Sequence, residues 1–172
     1  KEGDEAIGVA TIAMGVTVYR DGTPVEAGDE LTIGEAWDET FGYLREDLVP
    51  SFERLIDVDL PENQQAAFGS WLYNFGETKA RRYSLPKLIN TDAPDSVIIK
   101  KWMEYIYAGG KRQLGLYRRR MAEVLLWLDL DWKAALNVSW DDDVFEVIET
   151  LGGSVDTELD LFDENYDPTP AT

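Results

Sequence analysis

The chain holds neither cysteine nor histidine, and that sets what chemistry it can do. Without Cys there is no disulfide, no thiolate nucleophile and no Cys-ligated metal site. Without His the usual general base near neutral pH and the commonest metal ligand are missing. Proton transfer then falls to carboxylates, Tyr or Lys, and with 34 Asp and Glu residues the carboxylates are the natural candidates. A second chemical signature is the stretch from Trp102 to Glu123, where three consecutive arginines, Arg118 to Arg120, stand near the start of an expected helix. Unpaired backbone N–H groups gather at a helix start and favour negative charge. Cations placed there call for an anionic partner or internal carboxylates, and Glu123, Glu104 and the N-terminal lobe are the internal choices.

The elements that must position such groups are mostly helical. Residues 6–19 are dense in β-branched residues punctuated by Gly8 and Gly15, which predicts short strands in a small hairpin, and Arg20-Asp-Gly-Thr-Pro24 reads as a turn. Thr32-Ile-Gly-Glu35 has the spacing of a capping box, and Ile33, Ala36, Trp37, Phe41, Leu44 and Leu48 follow with a helical period. Pro50 stands either at the end of this helix or at the start of a helical stretch over Ser51–Ile56. Pro61 opens the next helix, whose apolar stripe is Ala67, Phe68, Trp71, Leu72 and Phe75 and whose stop is Gly76. Shorter helical segments are predicted over Glu77–Arg82 and Ser84–Asn90.

A helix over Asp95–Ala108, with Val97, Ile98, Trp102, Tyr105 and Ile106 inward, is expected to stop at Gly109-Gly110. The helix over Leu116–Leu128 turns Met121, Val124, Leu125 and Leu128 inward. Short helices over Ala134–Trp140 and Asp143–Leu151 follow, the second closed by Gly152-Gly153, and an irregular tail ends the chain. Trp71, Trp102 and Trp127 each lie on an apolar stripe and read as core. The architecture is α+β: a small β-hairpin lobe, then a larger helical lobe, with a cleft between them suited to an extended polymer.

Charge and hydropathy narrow the partners. The chain has 172 residues, enough for one domain or a domain with an extension, and a net charge of -18, which repels nucleic acid phosphate. Residues 129–172 hold 13 acidic residues against Lys133 alone, so the acidity is concentrated in the C-terminal part. No apolar run approaches the ~20 residues of a membrane span. The polar start, Lys1 to Glu5, does not read as a secretory signal.

Five segments, in order, resemble the phage lysozyme (endolysin) family of muramidases. Thr11-Ile-Ala-Met-Gly-Val-Thr17 stands where that family has Thr-Ile-Gly-Tyr-Gly-His-Thr, and Thr32-Ile-Gly-Glu-Ala36 matches a Thr-x-x-Glu-Ala helix start. Gln64-Gln-Ala-Ala-Phe-Gly-Ser-Trp-Leu-Tyr-Asn-Phe-Gly76 and Ser84-Leu-Pro-Lys-Leu-Ile-Asn90 follow, and Trp102…Gly109-Gly-Lys…Gly115-Leu-x-x-Arg-Arg…Glu123 completes the series. The resemblance implies a lysozyme-like domain over 1–128, an acidic extension over 129–172, and hydrolysis of the β-1,4 bond between N-acetylmuramic acid and N-acetylglucosamine. It implies no cofactor or metal, glycan strands as partner and a monomer. Synthesis is implied in the cytoplasm of a host bacterium, with action on the wall in the periplasm or from the virion.

It also implies a triad of Glu, Asp and Thr. Thr11 takes the Thr position. For the Asp position Glu5 has the family spacing, Asp4 has the matching carboxylate one residue further off, and Glu2 follows Lys1 as the family Asp often does. The catalytic Glu is implied ahead of Lys1, whereas Glu2-Gly3 repeats the family's Glu-Gly pair at a spacing to Thr11 that requires a shortened hairpin. Val16 replaces the family His, and Ala13 replaces a Gly, which predicts that residue 13 avoids positive φ. Tyr19 is a candidate for sugar stacking, and Asn74 for substrate binding.

Overall fold

The β-branched run after residue 10 pairs at only two points, Ile12 with Val16 and Val18 with Pro24, both antiparallel. This is a computed structural model, and it describes residues 10–155. The expected hairpin exists as isolated bridges for two local reasons. Ala13 and Gly15, at φ 51 and 99, fold the chain straight back after Ile12. Pro24 has no N–H to extend the second pair. Ala13 corrects the sequence reading: it does sit at positive φ, where a Cβ costs on the order of 1–2 kcal/mol.

The chain divides into two units, Lys1–Ser51 and Phe52–Thr172. In the first, the bridges lead into α1, Ile33–Tyr43. The capping box forms as read: Thr32 Oγ1 accepts from the Glu35 N–H at 3.3 Å, and the Glu35 carboxylate accepts from the Thr32 N–H at 2.8 Å. α1 does not stop before Pro50. It widens into one π-helical stretch, Leu44–Leu48, and continues as α2, Val49–Glu53. The wider turn gives room to the Pro50 ring, which would crowd the carbonyl of an ordinary preceding turn. The apolar stripe of α1 keeps its period, but Ile33, Trp37 and Phe41 are exposed, with Trp37 and Phe41 stacked at 5.4 Å. The buried positions are instead Thr40 and Gly42.

The second unit is built on α3, Glu62–Phe75, and α7, Leu114–Trp127, which pack along one another. Around them lie α4 (Glu77–Ala80), α5 (Leu85–Asn90) and α6 (Asp95–Trp102). Pro61 caps α3 in extended conformation, and Gly76 at φ 70 closes it. The expected helix to Ala108 is shorter than predicted. It ends at Trp102, and Tyr107–Ala108 (β1) instead pairs antiparallel with Lys111–Arg112 (β2). Gly109 and Gly110, at φ 58 and 72, are the two left-handed residues a tight hairpin turn requires, so this pair turns a ribbon and does not stop a helix.

After α7 a 3-10 helix over Trp132–Asn137 replaces the predicted Ala134–Trp140 helix and packs on α7. α8, Val144–Thr150, is capped by the Asp143 side chain and closed by Gly152 at φ 80. Residues 138–142 are fastened to α7: Arg118 Nε donates to the Val138 carbonyl at 2.8 Å, and the Tyr117 hydroxyl donates to the Asp142 carbonyl. The Arg112 guanidinium also lies 4.3 Å from the Trp140 ring centre.

Trp71 and Trp102 are fully buried and Trp127 nearly so, as their stripes predicted. Val97, Tyr105 and Leu128, also read as inward, are only half-buried. Beside the tryptophans sits Glu123, 3% exposed. Its Oε1 accepts from Ser70 Oγ at 2.8 Å, Arg119 Nε at 3.1 Å and Arg120 Nη2 at 3.1 Å. Its Oε2 accepts from Trp102 Nε1 at 2.9 Å, with Arg120 Nε 3.0 Å away. Arg120 is itself fully buried, and burial pulls its pKa down to about 10 while the Glu123 charge pulls the other way. Arg120 therefore stays charged at neutral pH, and the arginine run meets an internal carboxylate.

Three tests follow from these contacts. Glu123→Gln removes the charge facing a buried guanidinium and should lower the unfolding free energy by about 3–5 kcal/mol in urea titrations. Thr32→Ala deletes the α1 cap and should lose about 1 kcal/mol by the same measurement. The Thr32 hydrogen bonds hold the Glu35 carboxyl below its ordinary 4.5, so its contribution is complete above that pH and fades as pH falls through the lowered value. The melting-temperature gap between wild type and Glu35→Gln should accordingly close on acidification below pH 4.5.

Candidate functional site

The N-terminal unit carries most of the residues singled out from sequence. Thr11 is exposed, immediately ahead of the Ile12–Val16 bridge. That bridge is a closed turn, with Ile12 N donating to the Val16 carbonyl at 2.9 Å and Val16 N returning to Ile12 at 3.0 Å. Thr11 thus stands exposed at the start of a backbone-locked turn. Glu2, Asp4 and Glu5 lie outside the described residues.

Tyr19 is half-buried, and its hydroxyl donates to Asp29 Oδ2 at 3.0 Å. The same oxygen accepts from the Glu26 N–H at 2.9 Å, so Asp29 ties the ring to the loop that precedes α1. Loss of solvent and the Asp29 hydrogen bond both raise the Tyr19 pKa, which keeps the phenol protonated. The turn after it is also fixed: the Asp21 carboxylate accepts from the Thr23 N–H at 2.9 Å and from its hydroxyl at 2.7 Å, which lowers the Asp21 pKa. A tethered aromatic ring beside a rigid turn can serve as a sugar platform.

Asn74 belongs to the other unit, at the C-terminal end of α3. It is exposed, and its Oδ1 accepts from Arg120 Nη2 at 3.1 Å, so its carbonyl is engaged by the buried arginine while its amide NH2 remains available on the surface. Thr11 and Tyr19 therefore lie in one unit and Asn74 in the other.

Sequence reasoning passed over the side chains that hold these positions. Arg20 was read as part of a turn, yet its backbone N–H donates to Glu39 Oε2 at 3.2 Å and its guanidinium pairs with Glu46. The available signal was a helix-interior glycine, Gly42, at a site where helix propensity alone favours almost any other residue. Ser70 entered only within the Gln64–Gly76 segment and was given no role, yet its hydroxyl donates to Glu123 and its carbonyl accepts from Arg119 Nη2 at 2.8 Å. Among the described residues, no helix is long and apolar enough to cross a membrane.

Known proteins match this arrangement. A family model described as phage lysozyme matches residues 2–123. The SAR-endolysin of Bacteriophage PS119 is 31% identical over 132 residues, covering 72% of this chain and 71% of that protein. The SAR-endolysin of Enterobacteria phage P21 is 30% identical over 132 residues, covering 72% of each. Among solved structures, an endolysin from Escherichia coli O157:H7 phage FAHEc1 superposes with a TM-score of 0.63 at 24% identity, over 74% of this chain and 81% of its own. A mutant P22 lysozyme superposes with a TM-score of 0.59 at 23% identity, over 72% and 83%. These two share the fold. The family match covers more than half of the sequence and takes in Thr11 and Glu123 together, and the chain belongs to the phage lysozyme family.

Proposed function

We infer that this chain is a peptidoglycan muramidase that serves a phage in lysing the bacterial cell wall. It is a glycoside hydrolase of the lysozyme type, and the observation that carries the reading is the family match over residues 2–123. Such chemistry needs two carboxyl groups flanking a glycosidic bond, one protonated to release the leaving oxygen and one ionised to act on the opposite face of the sugar. It needs neither His nor Cys, and this chain has neither.

Within that chemistry Thr11 and one acid of the opening loop form the water-activating half. The exposed Thr11, held at the mouth of a closed turn, supports its part: a hydroxyl there donates to or accepts from an attacking water without first being uncovered. The family match begins at residue 2, so it takes in Glu2, Asp4 and Glu5, and each stays a candidate for the carboxylate. Glu2, whose Gly3 neighbour repeats the family pair, is also a candidate for the protonating Glu. Tyr19 serves as a sugar platform, oriented by Asp29, and the Asn74 amide as a donor to the glycan.

The same reading places synthesis in the host cytoplasm and action on the wall in the periplasm, as a monomer on glycan strands. The names of the two SAR-endolysin relatives support a lysis role over a virion-carried one. The lysozyme-like domain runs over 1–128 and the acidic extension over 129–172, in keeping with a family match that ends at residue 123.

The test is release of soluble fragments from purified peptidoglycan, followed by borohydride reduction of the new ends. Reduced muramic acid is the expected product, and reduced glucosamine would overturn the muramidase reading. Thr11→Val should slow release by about 100-fold or more, and one variant among Glu2→Gln, Asp4→Asn and Glu5→Gln by a comparable factor. Full activity in all four would remove Thr11 and the opening loop from the chemistry.

A further inference from the structure

Gly42 is an anomaly within its own helix. It lies near the end of α1, where a glycine costs about 1 kcal/mol relative to alanine. The structure shows what occupies the space: a Cβ on Gly42 would run into Cδ, Nε and Cζ of Arg20, the last at 3.0 Å. The Arg20 side chain therefore lies across the helix at Gly42, whereas a Cβ on Gly34, the other glycine of α1, would meet nothing within 4 Å. Its far end pairs with Glu46, and its backbone N–H donates to Glu39 Oε2 at 3.2 Å. Glu46 comes from the π-helical stretch Leu44–Leu48, where the change of register alters the direction in which the following side chains point. Three positions on α1 and its continuation, Glu39, Gly42 and Glu46, thus receive one residue of the N-terminal loop.

That residue sits at a critical place. Arg20 follows Tyr19 directly, and Tyr19 N donates to the Thr23 carbonyl at 2.8 Å within the turn. Val18 bridges to Pro24, and Ile12 to Val16. The loop from Thr11 to Pro24 holds little regular ladder of its own, so its orientation on the helix must come from side chains. The Arg20–Glu46 pair is about half exposed on both sides, and such pairs contribute only about 0–1 kcal/mol to stability. A glycine retained for so weak a pair makes little sense as a stability device. It makes sense as a device for position.

We propose that Arg20, seated over Gly42 and paired with Glu46, is a positioning latch that fixes the Thr11–Tyr19 loop on α1 and so sets the turnover of the muramidase. The proposal rests on the catalytic reading of Thr11. Arg20 touches no reacting atom in this scheme. It acts through the loop, and a displacement of the Thr11 hydroxyl by even an ångström costs up to about 100-fold in rate.

Gly42→Ala gives the cleanest test, because it leaves every charge in place. The methyl group displaces the mobile arm of Arg20, while alanine favours the helix, so the melting temperature should hold or rise. The expected result, from initial rates of dye release against peptidoglycan concentration, is a fall in kcat of about tenfold or more with KM within about twofold. Arg20→Ala should show the same split, Arg20→Lys should recover part of it, and the Arg20→Ala/Gly42→Ala double variant should be no worse than Arg20→Ala alone.

Multiplying effects in the double variant would overturn the latch, as would unchanged kcat in Gly42→Ala, or a loss of Arg20→Ala activity that tracks a lowered melting temperature. The underlying reading fails separately. An inactive Thr11→Val beside fully active Arg20 and Gly42 variants sinks the latch alone, whereas a fully active Thr11→Val sinks both.

Discussion

The Glu123 carboxylate is the point on which the helical unit depends. An ionised carboxyl group at 3% exposure is tolerable only if its lone pairs are filled, and here donors from three helices fill them. Ser70 comes from α3, Trp102 from the end of α6, and Arg119 and Arg120 from α7 itself. The buried Arg120 has the reverse need, met in part through Nη2 by Glu123 and by Asn74 at the end of α3, with the Phe75 ring centre 5.2 Å from its guanidinium carbon. Neither charge can be removed alone without stranding the other. Hydrophobic packing of Trp71, Phe68, Leu125 and Met121 supplies the bulk of the unit's stability. The ionic cluster adds something packing does not: one rotational setting of α7 against α3 and α6, since a slip of one residue would face Ala122 or Val124 to the tryptophan instead.

The N-terminal unit is held differently. Among its described residues there are few buried apolar side chains, Val16 and Val25 among them, and no extended ladder. Its order comes from short polar links: Asp29 to Tyr19 and Glu26, Asp21 to Thr23, the Thr32–Glu35 box, and Arg20 to Glu39 and Glu46. Each is weak, and most are exposed to water. A unit assembled this way is specified by geometry more than by burial, and side chains there can be placed to fractions of an ångström while local opening stays easy. For an enzyme that must admit a polymer, that division suits the work: a rigid helical unit and a loop-bearing unit whose side chains are individually tethered.

Much of this was legible in the residues. The capping box located the start of α1, because the signal that makes a cap is local and sits in three or four residues, and helical composition and period located α3, α7 and α8 to within a few residues. The tryptophan stripes gave the core, and Glu123 appeared as a partner for the arginines because i,i+3 and i,i+4 spacing puts them on one face. The errors came from signals with two local meanings. A Gly-Gly pair serves a helix stop and a tight hairpin equally well, and what decides is whether the residues beyond can pair, as Tyr107 does with Arg112. Ala13 was expected to avoid left-handed backbone, but closure of the Ile12–Val16 turn imposes it. Gly42 showed locally only as a poor helix former. Its role depends on a residue 22 positions earlier in the chain, a separation no periodicity can register.

The candidate site was legible to a different degree. The carboxylate character of the chemistry follows from the missing His and Cys, and that is a strong constraint because it removes alternatives outright. Position is the harder part. Three acids crowd the opening loop within four residues, and a carboxylate's usefulness depends on its distance to one water, which spacing along a chain does not fix. Thr11 came from the family resemblance, and the structure leaves it exposed one step before a closed two-point bridge. On the proposed reading of Thr11, the catalytic half of the problem is one of anchoring. A threonine hydroxyl is a weak group that helps only when it is held still, and the physical question for this enzyme is what keeps a loop so poor in ladder hydrogen bonds from moving on its helix. The weight of the side-chain contacts around Arg20, drawn from three positions of one helix, answers that question with a single residue.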